Sequence, residues 1–320
     1  MRKRLLGLSL VFIMLFIAGC SSTNHEPVES EGAFEEENEQ ETSETSLDYE
    51  GEGGFLWEIV HGETTMYVQG TIHLGHEDFY PLASEIEEAY ESSDVVLPEI
   101  NMFEADVNEE DISEMALFKE GTTLADVLSE ESYAELSDIF EQNKMAVKDY
   151  NHFQPWFVES LLGQISSEES ELAPEYGVDL YFLKRSLEDD KEIVELETVE
   201  GQYDMLSNFS METQVKMLEG TIEEHDQVVN SLNQLGYNWI HGEKDAFIDQ
   251  LSEGFEEMGE EYQQEMNDNR NLNMASKLDE ILQKDDGQTY FVIIGSAHVL
   301  IDPSVPSELE EKGYEIERIY

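Results

Sequence analysis

Strand-forming runs bracket a long helix-forming middle in this chain, and that alternation limits the fold more than any other feature. "FLWEIV", "HGETT" and "MYVQG", from Phe55 to Gly70, read as a β-hairpin. "SEIEEAYESS" is a short amphipathic helix and "DVVLPEI" a buried strand. Residues 104–190 are largely helix-forming, with Pro155 suited to the first turn of its helix. "KEIVELET" is another strand, a second helical region runs from Val199 to about Gln283, and "QTYFVIIGSAHVL" is the most apolar strand after the leader. A final helix and "YEIERIY" close the chain. Strands separated by helical stretches predict an α/β (α+β) domain. Its mixed central sheet is flanked by helices, and the helical middle is an insertion or cap.

The N-terminus reads as a separate device. "MRKRLLGLSLVFIMLFIAGC" has a basic start (Arg2, Lys3, Arg4), an apolar stretch from Leu5 to Ile17, and small residues before Cys20. That is the layout of a secretory signal, too short for an ordinary membrane-spanning helix. "IAGC" resembles the bacterial lipobox, so residues 1–19 are expected to be removed and Cys20 lipidated. The chain would then sit on the extracytoplasmic face of the cell membrane. Cys20 is the only cysteine, which rules out a disulfide framework and a catalytic thiol.

Residues 20–54 follow as a tether. Twelve acidic residues, no Lys or Arg and little to bury predict a disordered, self-repelling spacer between residues 21 and 54. The domain occupies residues 55–320. The whole chain carries 75 acidic and 16 basic residues, and loss of Arg2, Lys3 and Arg4 takes the formal charge from −59 to −62. Such a surface repels nucleic acid and anionic headgroups, so neither is an expected partner and the membrane is met only through the lipid anchor. Only Arg185, Arg270 and Arg318 remain beyond the leader. The sequence leaves the oligomeric state open.

The chemistry-bearing residues cluster at strand ends. "GTIH" (70–73) leaves one strand and "GSAH" (295–298) another, each a Gly-x-x-His. Glu99 ends "DVVLPE" and Glu197 ends "EIVELE". Ligands of open α/β sheets bind beyond the carboxyl ends of the strands, so His73, Glu99, Glu197 and His298 converge if their strands are neighbours and mostly parallel. Two imidazoles with one or two carboxylates can hold a catalytic divalent metal, the remaining carboxylate acting as base. The competing reading makes each an ordinary loop or strand-end residue. His76 either supports His73 or lies exposed in a loop. In "NRNLNMASKLDEIL", Asn271, Met274, Ala275 and Leu278 share one helix face, which buries Asn271. The adjoining Arg270 either stabilises negative charge on a substrate or pairs with a buried acid. Asp179, near the start of a helix, has the structural role of favouring the helix dipole.

The motifs "FLWEIVHGETTMYVQGTIHLGHEDFYPL", "SDVVLPEI", "YGVDLYFL", "VELETVEGQ", "RNLNM" and "YFVIIGSAHV…KGYEIERI" occur in the order seen in the TraB/GumN family. The chain resembles that family over residues 55–320, including its TIKI-like metalloproteases and its erythromycin esterase/ChaN-like relatives. The resemblance implies a divalent-metal site of manganese, cobalt or zinc on His73, His298 and Glu99. Glu197 and the Arg270–Asn271 pair match further family positions. Glu99, Arg270 and Glu197 are then the catalytic candidates, with Asn271 and His76 behind them. TIKI-like members cleave peptide bonds and TraB-like members are associated with shutting down peptide pheromones, which implies a metal-dependent hydrolase of a peptide or protein substrate. The alternatives are a non-catalytic lipoprotein that sequesters a peptide or signal, and a metal-dependent esterase. Pro98 departs from the family pattern and should lie at an edge or at the last position of its strand.

Overall fold

Six strands make one sheet in the computed structural model, which describes residues 47–104, 109–119 and 121–320. They are β1 (Phe55–His61), β2 (Thr64–Thr71), β3 (Val95–Pro98), β4 (Glu192–Ile193), β5 (Thr289–Gly295) and β6 (Ile316–Arg318). Their order is β4-β3-β5-β2-β1-β6. β4, β3, β5 and β2 run parallel to their neighbours, whereas β1 is antiparallel to β2 and to β6. The sheet is mixed, as expected. The leader, Cys20 and the tether through residue 46 lie outside the described residues.

The hairpin turns through Gly62 and Glu63 alone, with pairs from Phe55↔Gly70 to His61↔Thr64. Gly62 takes a φ of 60°, a conformation glycine accepts without a Cβ clash. β5 lies between β2 and β3, and Tyr290 through Ile294 are buried. A strand covered on both faces needs an unbroken apolar run, which "YFVII" supplies.

Three local expectations are corrected. The strand of "QTYFVIIGSAHVL" stops at Gly295, and Ser296–Leu300 forms a helical turn. "KEIVELET" contributes only Glu192 and Ile193 to the ladder, although Val194, Leu196 and Glu197 still donate to the carbonyls of Val96, Pro98 and Glu99 (3.0, 2.8 and 2.6 Å). Residues 47–54 pack onto the domain instead of extending the tether. Tyr49, 3% exposed, lies against Phe79, and Gly53 and Gly54 donate to the carbonyls of Ile240 and Trp239. The Glu52 carbonyl accepts from the Ala83 N–H as well, so one buried aromatic and three backbone bonds seat that segment. Pro98 is the last residue of β3, where its missing N–H costs nothing to the ladder.

The helical middle carries a second, smaller core. Leu136, Phe140, Val158, Leu162 and Leu218 bring together the helices Glu130–Gln142, Pro155–Glu169 and Met211–Glu223. Pro155 opens its helix at the first turn, and Trp156 beside it belongs to the main core. That helix therefore ties the cap to the sheet.

Candidate functional site

The parallel order β4-β3-β5-β2 brings the carboxyl ends of four strands side by side, and each is followed by one of the expected residues. His73 follows β2, Glu99 follows β3, His298 follows β5, and Glu197 follows the extension of β4. A side chain would collide at Gly70 and would be tightly crowded at Gly295. A Cβ on Gly70 would lie 2.7 Å from Val299 Cγ2, and one on Gly295 would lie 3.3 Å from Glu99 Oε1. Ser296 Oγ donates to the Thr71 carbonyl (2.9 Å) and accepts from Trp239 Nε1 (3.0 Å), locking the ends of β2 and β5 together.

Glu99 is 7% exposed. Its Oε1 accepts from the Gly295 N–H (2.6 Å) and its Oε2 from Arg270 Nη2 (2.7 Å). Burial alone would raise its pKa, but Arg270, His298, His73 and that N–H outweigh it and hold the carboxyl down at about 2. Arg270 also grips Glu197, Nε to Oε1 at 3.0 Å and Nη2 to Oε2 at 2.6 Å, and donates through Nη1 to the Met266 carbonyl (3.3 Å). Of the two readings of Arg270, the buried ion pair is the one observed. The guanidinium is raised well above its usual range, since the two glutamates outweigh the cost of burying it. Its helix is unusual. From Glu260 to Leu282 it is interrupted by a widened π-type turn, Gln264–Asp268, ending just before Arg270, and such turns concentrate at functional positions.

The two imidazoles differ. His298 is buried, and Asn271 sets its tautomer. Asn271 Nδ2 donates to the Pro303 carbonyl (2.7 Å), so Asn271 Oδ1 accepts from His298 Nδ1 (2.6 Å). His298 Nε2 then carries the lone pair, 3.7 Å from Glu99 Oε1. Burial and Arg270 lower the pKa of His298 to about 4. His73, whose side chain is 35% exposed, holds Asp179 Oδ2 at 2.9 Å through Nδ1. Burial would lower its pKa, but Asp179 and Glu99 raise it to about 9. At neutral pH one imidazole is charged and the other is not.

Asn271, expected on the buried face of its helix, bonds His298. His76 is bonded elsewhere, accepting from the Asp78 N–H (3.2 Å) and stacking on Tyr49 at 5.0 Å between ring centroids. Asp179 occupies the first turn of its helix, Val178–Glu188, as the sequence indicates, but its contact with His73 was missed. The one available signal was its place in "YGVDLYFL", and the backbone explains the contact, since the Val178 N–H donates to the Ile72 carbonyl (2.9 Å). Gln202, which donates to Glu197 Oε2 (3.0 Å), and Lys277, which donates to the Leu196 carbonyl, were also missed. The other two arginines are occupied away from the site. Arg185 pairs with Glu87, and Arg318 lies over Phe55 and Trp57.

The donor types suit a divalent metal, but their arrangement does not. Among the described residues no group of three or more His, Cys, Asp or Glu side chains is placed to hold an ion. Both oxygens of Glu99 are already engaged, one by a cation.

The fold and site define a mixed α/β protein with a buried Glu–Arg–Glu cluster and two unlike histidines at the carboxyl ends of its parallel strands. The chain belongs to the TraB/PrgY/gumN family, whose model matches residues 55–318. It is 23% identical to the uncharacterized protein YbaP of Escherichia coli over 180 residues, 56% of this chain and 66% of YbaP. It is 22% identical to Metalloprotease TIKI1 of Danio rerio over 314 residues, 82% of this chain and 62% of that protein. The chain thus spans just under two thirds of the length of these relatives. No solved structure gives a significant match.

Proposed function

We propose that the chain is a hydrolase of peptide bonds, held at the extracytoplasmic face of the membrane by a lipid on Cys20. The relative named as a metalloprotease supports the reaction class. The observation that carries the reading is the His298–Glu99 pair. An imidazole whose Nε2 lone pair is fixed by Asn271 faces an ionised, buried carboxylate at 3.7 Å. In this mechanism Nε2 takes a proton from water as the oxygen attacks the carbonyl carbon, and Glu99 stabilises the imidazolium that forms. The His73 imidazolium, held by Asp179, gives a proton to the leaving nitrogen. Arg270 keeps Glu99 ionised and oriented. Manganese, cobalt or zinc on His73, His298 and Glu99 remains part of the proposal only if Arg270 releases Glu99.

The full chain in detergent should cleave a mixed peptide library, and His298→Ala should lower kcat by on the order of 10²-fold or more with the fold retained. Assays run before and after chelation, then with each metal restored, report the metal requirement. No turnover under any condition would replace this reading with peptide sequestration.

The anchor rests on "IAGC" and the acidic stretch after it. Cys20→Ala should leave the domain folded and either unprocessed or released from the membrane fraction. Detergent partitioning and mass spectrometry of the mature N-terminus check this. An unmodified, soluble wild-type protein would rule the anchor out.

A further inference from the structure

We infer that Arg270 is an internal cation that neutralises Glu99 and Glu197 where a divalent ion otherwise would, so that any ion entering the site must break its contact with Glu99. The inference concerns the same site as the proposed hydrolase but is read by ion binding alone, so it stands or fails separately from turnover.

The geometry is that of a filled cation site. Two carboxylates from neighbouring strand ends meet one guanidinium that is 5% exposed. Nη2 serves both, at 2.7 Å to Glu99 and 2.6 Å to Glu197, and Nε adds a second bond to Glu197. A planar fork bonding a carboxylate at two points is the strong form of this contact. Glu197 is itself held from behind by Gln202, so its oxygens are not free to swing toward another ion (3.0 Å). Arg270 is braced as well, by the Met266 carbonyl in the π-type turn. A divalent ion bonded to Glu99 and to His298 Nε2 would sit within a few ångströms of the guanidinium, where like charges repel strongly at low dielectric. The ion therefore binds only by breaking the Arg270–Glu99 contact. This makes the arginine a brake on metal affinity.

The test is calorimetric titration of Mn²⁺, and separately of Zn²⁺, into the full chain in detergent. Wild type should bind weakly. Arg270→Gln should bind one ion at least about 10-fold more tightly, because the buried carboxylates lose their internal partner. Arg270→Lys keeps the charge and should stay within a few-fold of wild type. Arg270→Gln combined with Glu197→Gln restores the charge balance should the single variant fail to fold, and it too should exceed wild type. Thermal melts and near-ultraviolet circular dichroism establish which variants are folded. Tight stoichiometric binding by wild type that folded Arg270→Gln does not improve overturns the inference. So does the absence of binding in every folded variant.

Discussion

Asp179→Asn is expected to lower the pKa of His73 from about 9 toward its ordinary value. Burial is the largest influence on this imidazole and favours the neutral form; the Asp179 carboxylate, bonded at 2.9 Å, reverses it. Asparagine keeps the shape and removes the charge. Glu99 alone would then have to offset burial and the repulsion from Arg270. The sign follows directly. In wild type His73 carries its proton through neutral pH and loses it near 9. In the variant it loses that proton at lower pH. If the His73 imidazolium is the acid of the proposed hydrolysis, the alkaline limb of kcat/KM moves down with it, and activity at pH 8 falls by on the order of 10-fold or more. Nuclear magnetic resonance titration of the imidazole carbons reports the pKa without needing turnover. An unchanged titration near 9 would mean that Asp179 does not control His73.

Glu159→Gln should make the protein more stable at pH 8 and hardly change it at pH 5. Glu159 is 3% exposed on the helix Pro155–Glu169, and its recorded bond is a long one from Thr221 Oγ1, at 3.5 Å. Burial raises its carboxyl to about 8, only slightly opposed by that hydroxyl. The unfolded chain loses this proton near 4.5, while the native state keeps it until about 8. Between those values the native state binds one more proton than the unfolded state, so stability falls as pH rises. The accumulated loss at pH 8 is about 3 kcal/mol after allowing for relaxation around the carboxylate. Glutamine fills the same space without a titrating proton and should recover most of it. Chemical denaturation of both proteins at pH 5, 6, 7 and 8 measures the difference. A constant difference across that range would show that Glu159 ionises freely in the folded protein.

Much of the fold was legible because its signals are local. The hairpin, the apolar run of β5, the Pro155 helix and the two Gly-x-x-His motifs all depend on neighbours within a few residues, where periodicity and turn chemistry operate. The strand-end placement of His73, Glu99, Glu197 and His298 followed from the same signals. The sequence alone did not determine that their strands would be adjacent. Strand order and direction come from long-range packing, and the order β4-β3-β5-β2 is what turns four separate strand ends into one site. Tertiary structure also chose the partners. Among 75 acidic residues little beyond its place in "YGVDLYFL" marks Asp179, 106 positions away, as the partner of His73, and nothing local marks Glu99 and Glu197, 171 and 73 positions away, as those of Arg270. Propensity acts along the chain, whereas hydrogen bonds and ion pairs act over about 3 Å of folded space. Only the fold could therefore decide that one histidine is charged, the other neutral, and the neighbouring carboxylates already held by an arginine.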